Sequence, residues 1–168
     1  MLQVRSAAPE DAGEITRIYN QGIEDRLATF QTEPRPVEEV AAVLRQRAGR
    51  YPAVVVEDGG RLVAWAWASP YRERPWYQGI AEYSVYVERG ERGRGAGRAA
   101  VAELIGRCEA AGFHKLVARI FPENEASRAL CRSLGFREVG VYRRHGKLDG
   151  RWRDCLIVER LIGAAAGG

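Results

Sequence analysis

The stretch that decides the fold reads "AEYSVYVERGERGRGAGRAAVAELIGRCEAAG" and occupies residues 81–112. Its first seven residues are rich in aromatic and β-branched side chains, which is typical of a strand. Farther on, apolar residues recur at the i, i+3, i+4, i+7 spacing of a helix that buries one face. They are Val101, Leu104, Ile105 and Cys108. The stretch therefore predicts a strand that enters a helix through a loop of glycines and arginines.

The loop at residues 91–98 indicates an anion site. A helix start leaves backbone N–H groups without partners, and glycines let an anion approach them without interference from a Cβ. Arginines interleaved with the glycines add positive charge, although side chains so closely spaced cannot all point one way. Two phosphate motifs do not fit, because a dinucleotide fingerprint needs glycine where Arg98 stands and a Walker loop needs lysine there.

Working outward, the same pattern analysis gives the element order β, α, α, β, β, β, α, β, α, β, β. Gly59-Gly60 and Asp149-Gly150 each separate two β-rich segments, which is typical of hairpins. Three consecutive antiparallel strands followed by a strand-helix-strand crossover make a plain doubly wound fold unsuitable. The predicted class is α/β (α+β): one mixed, mostly antiparallel sheet of about seven strands, flanked by about four helices.

Length and composition set the outer limits. A chain of 168 residues with 46% apolar and 29% charged residues predicts one globular domain, residues 1–163, followed by a frayed tail, residues 164–168. A net charge of +4 suits an anionic small ligand as well as nucleic acid. We expect a cytoplasmic protein without export signal or membrane anchor, because no stretch has the required apolar pattern.

Cysteine and histidine usage argues against cross-links and metal. Cys108, Cys131 and Cys155 are odd in number and widely spaced, which favours reduced thiols over a disulfide framework or a zinc site. His114 and His145 have no third ligand at a suitable spacing. We therefore expect no metal and no disulfide.

Two motifs carry a resemblance to a known family. The pattern Arg92, two residues, Gly95, one residue, Gly97 and the later "ENEASRALCRSLGF", residues 123–136, resemble the GCN5-related N-acetyltransferases, which bind acetyl-coenzyme A. The resemblance implies that Asn124 contacts the arm near the thioester. It implies further cofactor contacts from the strand backbone at Val85, Tyr86 and Val87, and pyrophosphate contacts from Arg92, Gly93, Arg94, Gly95, Ala96, Gly97 and Arg98.

The likeness narrows to the phosphinothricin N-acetyltransferase group. Four segments are similar to that group, at residues 18–34, 69–77, 81–87 and 146–154. Members acetylate the amino group of small amino-acid analogues such as phosphinothricin, methionine sulfone, methionine sulfoximine and, in some members, arsinothricin. The resemblance also implies a homodimer, with the C-terminal strands and the "TFQTEP" loop, residues 29–34, near the interface.

Glu82 is the candidate general base. A carboxylate within an otherwise apolar strand is costly to bury without a partner, which favours a position in a pocket. Strand alternation places Glu82, Ser84 and Tyr86 on one face and Tyr83 on the other. The alternative is that Glu82 pairs with an arginine of a neighbouring strand and takes no part in chemistry.

Candidate acceptor contacts lie in two other segments. Arg72 and Arg74 stand beside a proline turn, and an arginine fork suits a carboxylate or a phosphinate, although a solvated charged loop is the ordinary alternative. Phe30 and Tyr83 could form an apolar wall, and so could Trp76, but core or interface packing suits them equally.

Two positions depart from the family pattern. Cys131 stands where many members have tyrosine or histidine, and its thiol could protonate the departing coenzyme thiolate or simply pack in the helix face. Tyr83 replaces the histidine that often follows the glutamate of the group, which leaves the acceptor open.

Three other functions stay open at this point. The chain could acetylate a peptide or protein amine, or could bind the cofactor as a sensor without catalysis. Arginine runs could also contact a nucleic acid, but no recognised nucleic-acid motif accompanies them. We expect a small-molecule amine as substrate and no nucleic-acid partner.

Overall fold

The computed structural model describes residues 1–167 and consists of one seven-stranded sheet with four helices. In chain order the elements are β1 (Leu2–Ser6), α1 (Ala12–Asp25), α2 (Val37–Arg47), β2 (Ala53–Asp58), β3 (Arg61–Pro70), β4 (Ile80–Val87), α3 (Ala96–Ala110), β5 (Lys115–Ile120), α4 (Glu125–Ser133), β6 (Arg137–Leu148) and β7 (Arg151–Leu161). The predicted order and the predicted class are confirmed.

The sheet is mixed, with the strand order β1-β2-β3-β4-β5-β7-β6. Every neighbouring pair is antiparallel except β4 and β5, which run parallel because α3 connects them by a crossover. The turn between β6 and β7 has positive φ at Asp149 and Gly150, as a two-residue hairpin turn requires.

Two apolar cores lie on opposite faces of the sheet. The helices α1 and α2 cover one face, where Ile18 and Val40 pack with Trp65. The helices α3 and α4 cover the other face, where Leu104 packs in a core that also holds Cys131. This two-sided burial explains why the central strand β3 is apolar almost throughout, with residues 62–68 all buried.

The parallel pair β4 and β5 is joined over only a short distance. Ile80, Ala81 and Glu82 pair with residues 115–117, and beyond that point the two strands are no longer paired with each other. A gap therefore opens in the middle of the sheet, between residues 83–87 of β4 and residues 118–120 of β5. This gap positions the candidate site.

The longest connections between these elements are residues 26–36, between α1 and α2, and residues 71–79, between β3 and β4. Gly163–Ala165 form a 3-10 turn after β7, and Gly168, the last residue of the predicted tail, lies outside the described residues. Among residues 1–167, no helix combines the length and the apolar character that a membrane crossing demands.

Candidate active site

The start of α3 presents unpaired backbone donors. Gly95 caps the helix at φ 91° and Gly93 precedes it at φ 77°, a conformation that costs an L-residue free energy. Ala99 is the first residue whose N–H reaches a carbonyl of this turn, that of Gly95 at 3.0 Å. The N–H groups of residues 96–98 therefore have no partner within the helix and are free for an anion.

Gly97 explains why α3 can lie so close to the gap. A Cβ at this position would stand 3.2 Å from both Leu130 Cδ1 and Val87 Cγ2. The absence of a side chain thus lets the helix start approach β4 and α4 together, which brings its free N–H groups to the edge of the gap.

The three arginines of the loop point in different directions, as their spacing indicated. Arg92 Nη2 lies 2.8 Å from Asp25 Oδ2, and Arg94 Nη1 lies 2.6 Å from Glu91 Oε2. Hydrogen bonds to Asp25, chiefly from Arg89 and also from Arg92, hold the pKa of that carboxyl below its usual range. Arg92 and Arg98 line the cavity beside the helix start, so each can face an anion held there.

A cavity of about 430 Å³ runs from the glycine loop toward the gap in the sheet. Its walls come from the end of α1, from β4, from the glycine loop and from α4. The lining residues include Val85, Tyr86, Val87, Arg92, Gly93, Gly95, Gly97, Arg98 and Asn124. Most of the cofactor contacts predicted from the sequence are therefore brought together around one cavity.

Asn124 closes one side of this cavity. It caps α4, since its Oδ1 accepts a hydrogen bond from the Ser127 N–H at 3.2 Å. Its Nδ2 donates to the Leu27 carbonyl at 3.2 Å. Asn124 thereby ties the start of α4 to the segment after α1, and it confirms the helix start predicted at this residue.

A narrow cavity of about 70 Å³ lies in the gap between β4 and β5. It shares Val85, Asn124 and Leu130 with the large cavity, and it shares Arg119 and Phe121 with a third cavity of about 340 Å³. The three cavities therefore adjoin one another and together mark out a path along the gap, and we call the third one the acceptor cavity.

Glu82 and Arg119 lie side by side in the acceptor cavity. Arg119 Nη2 donates to Glu82 Oε2 at 3.1 Å, and the Glu82 side chain retains 21% of its exposure. Phe30 forms one wall, edge-on to Phe121 with ring centres 5.0 Å apart. Glu82 thus has both the pocket position and the arginine partner that the two sequence hypotheses named separately.

Tyr83 and Cys131 are placed on the other face of the sheet. The Tyr83 hydroxyl and the Cys131 sulfur are 3.0 Å apart in the core beneath α4, where Cys131 is 2% exposed. Burial raises the pKa of the Cys131 thiol, and it raises the pKa of Tyr83 well above its usual value. Both groups are therefore protonated at neutral pH, and Tyr83 also contributes to the lining of the narrow cavity and of the acceptor cavity.

Arg72 and Arg74 lie in the exposed loop between β3 and β4. The Arg72 guanidinium stands 5.2 Å from the centre of the Tyr71 ring, and Trp76 is 69% exposed. None of the three lines the cavities described above. The structure of this chain therefore does not bring these candidates together with Glu82.

Sequence reasoning missed Arg119 and Asp25. The alternation in "KLVARI", residues 115–120, would have put Arg119 on the less apolar face of β5. Its position beside Glu82, however, depends on the pairing of two strands that are remote in sequence. Asp25 gave no signal, because a carboxylate at the end of an amphipathic helix is ordinary.

The site thus has an anion cradle at one end, a narrow cavity in the gap of the sheet and a carboxylate at the other end, an arrangement that suits the transfer of a group between two bound substrates. Within residues 1–167, no cluster of three metal-ligating side chains was found. The model of the Acetyltransferase (GNAT) family matches residues 15–136. The chain belongs to this family and is an N-acetyltransferase, so the sequence-based resemblance is confirmed.

Individual relatives are similar over nearly the whole chain. A phosphinothricin N-acetyltransferase of Streptomyces coelicolor is 37% identical over 163 residues, which cover 95% of each chain. The crystal structure of a phosphinothricin acetyltransferase from Sinorhizobium meliloti in complex with acetyl-CoA has 34% identity and a TM-score of 0.93, covering 99% of this chain and 91% of that one. A ribosomal-protein-alanine N-acetyltransferase from Brucella melitensis has 34% identity and a TM-score of 0.92, covering 95% and 99%.

Proposed function

We propose that the protein transfers the acetyl group of acetyl-CoA to the amino group of a small amino-acid analogue of the phosphinothricin type. The observation that carries this proposal is the row of three adjoining cavities that leads from the free N–H groups of α3 to Glu82. Similarity to two phosphinothricin acetyltransferases, one of them in complex with acetyl-CoA, supports the choice of both substrates.

The two substrates would meet in the gap between β4 and β5. The diphosphate would accept hydrogen bonds from the N–H groups of residues 96–98, with Arg92 and Arg98 beside it. The pantetheine arm would follow the backbone of residues 85–87 past Asn124, so that the thioester lies in the narrow cavity. The amine would enter from the acceptor cavity.

Glu82 would act as the general base. The amine nitrogen attacks the thioester carbonyl, a C–N bond forms and the C–S bond breaks. The nitrogen loses one proton to Glu82, and the departing thiolate takes up one proton to leave as free coenzyme A. This assignment is supported by the lining of the acceptor cavity, in which Glu82 is the sole carboxylate among the described residues.

The general acid is a less direct matter. Cys131 remains a prediction for this role. Its thiol is protonated at neutral pH, as a general acid must be, but Cys131 does not line any of the three cavities. Its sulfur contacts the hydroxyl of Tyr83, a residue of the narrow cavity's wall, so a proton from Cys131 would travel through Tyr83.

Release of free thiol from acetyl-CoA tests the proposal. We expect release with phosphinothricin, methionine sulfone, methionine sulfoximine or arsinothricin, and at least tenfold less with a panel of peptides that present free N-terminal amines. The peptide panel is needed because one similar structure belongs to a ribosomal-protein-alanine acetyltransferase. Release confined to the peptides would replace the small-molecule acceptor with a protein one, and release with no amine would contradict the proposal.

We further propose a cytoplasmic homodimer. Exposed apolar side chains on the hairpin β6–β7 support a subunit contact there; they are Val139, Val141, Tyr142, Trp152 and Leu161. The three cysteines are buried free thiols, which suits a reducing compartment. Light scattering in solution should give twice the chain mass of 18.7 kDa, and a mass of one chain would contradict the dimer.

A further inference from the structure

We propose that Arg119 binds the carboxylate of the acceptor, so that the enzyme selects free α-amino acids rather than amines without a neighbouring carboxylate. This inference rests on the proposed function and adds a specificity-determining residue to it. The side-by-side placement of Glu82 and Arg119 carries the argument.

Arg119 faces the acceptor cavity because of its place in β5. The neighbours Ala118 and Ile120 are buried in the core under α3 and α4, so alternation turns Arg119 to the opposite face. Glu82 pairs with Val117, two residues before Arg119, in the last register position that β4 and β5 share. Arg119 therefore stands at the mouth of the gap, next to the carboxylate.

Among residues 1–167, Glu82 and Arg119 are the only charged residues that line the acceptor cavity. Arg119 forms one ion pair, with Glu82, and its side chain retains 59% of its exposure. A guanidinium has five N–H donors, so most of those of Arg119 are available to a second partner. A cation with spare donors, in a cavity whose one other charged lining residue among residues 1–167 is Glu82, is suited to an anionic group of the substrate.

The arrangement matches the two polar groups of an amino acid. In an α-amino acid, the amine and the carboxylate are attached to the same carbon atom and so enter the cavity side by side. Glu82 offers a hydrogen-bond acceptor to the amine, and Arg119 offers a guanidinium to the carboxylate. The two side chains are adjacent, as the amine and the carboxylate of the amino acid are. A peptide N-terminus has an amide in place of the carboxylate and would leave the guanidinium without its second partner.

The test compares two acceptors that differ only in the carboxylate. Thiol release is measured for methionine sulfone and for its primary amide, with the wild type, Arg119→Gln, Arg119→Lys and the control Arg137→Gln. Arg137 is an exposed arginine of β6 that pairs with Glu159 and lines none of the cavities. For each enzyme, kcat/KM for the free acid is divided by kcat/KM for the amide. Because the intrinsic reactivity of the two amines is the same for every enzyme, it cancels when these ratios are compared between variants.

We expect Arg119→Gln to lower kcat/KM for the free acid by about 10- to 100-fold, the effect of one hydrogen-bonded charge, mainly through KM. The amide should change less than threefold, the lysine variant should fall between, and Arg137→Gln should match the wild type. In the wild type itself, the free acid should exceed the amide at least tenfold, a comparison that needs no variant to fold.

An equal loss for acid and amide would overturn the inference, because Arg119 would then act only by holding Glu82. A wild type that acetylates both acceptors equally would also overturn it, while leaving the proposed acetyl transfer in place. Absence of release with every amine would overturn the proposed function, and this inference with it.

Discussion

Glu82 combines two properties that a sequence pattern shows only separately. It lies on the strand that leads to the glycine loop, and its carboxylate lines the acceptor cavity with an arginine partner at 3.1 Å. The pattern predicted the face on which Glu82 lies, because alternation along one strand is local. It could not predict Arg119 as the partner, since the two residues are 37 positions apart and meet only through strand pairing.

At the scale of this residue, Glu82→Gln should lower kcat about 10²- to 10⁴-fold, because the variant keeps the shape of the side chain but cannot accept the proton. The dissociation constant for acetyl-CoA, measured by calorimetry, should stay within twofold, as Glu82 does not line the large cavity. Glu138→Gln is the matched control, a sheet carboxylate that pairs with Arg128 outside the cavities, and should keep full activity. A kcat within tenfold of the wild type would remove Glu82 from the chemistry.

At the scale of elements, the start of α3 is the part of the site that was most predictable. Positive charge and glycines before an apolar helix period are local signals, and the structure places them around one cavity. Arg72 and Arg74 show the opposite case. They were predicted as acceptor contacts from the chemistry of an arginine fork together with the family resemblance, and local sequence does not fix where an exposed loop lies relative to a pocket on another strand.

Gly95→Ala tests the helix start. A Cβ in this positive-φ conformation should cost about 1 kcal/mol in the free energy of unfolding and should weaken acetyl-CoA binding several-fold, because the loop must move. Gly106→Ala, in the middle of the same helix with open space around a new Cβ, should stabilise by about 0.5–1 kcal/mol and leave binding unchanged. Urea unfolding and calorimetry measure both quantities. Equal behaviour of the two variants would contradict the special role of Gly95.

At the scale of the whole molecule, the site is a product of topology. One parallel pair in an otherwise antiparallel sheet, joined over three residues, leaves the gap along which the three adjoining cavities lie. The order of strands and helices, and with it the mixed sheet, was predictable, because each element shows its own periodicity of apolar residues in the sequence. The length of the pairing between β4 and β5 was not predictable, because it depends on how helices on both faces pack against the strands.

The central claim is that acetyl-CoA occupies this path, and a crystal structure determined with acetyl-CoA tests it most directly. We predict the diphosphate against the N–H groups at the start of α3 and the acetyl group in the gap between β4 and β5, facing Glu82. A diphosphate bound elsewhere, or a gap closed by packed side chains while the coenzyme lies outside it, would contradict the account.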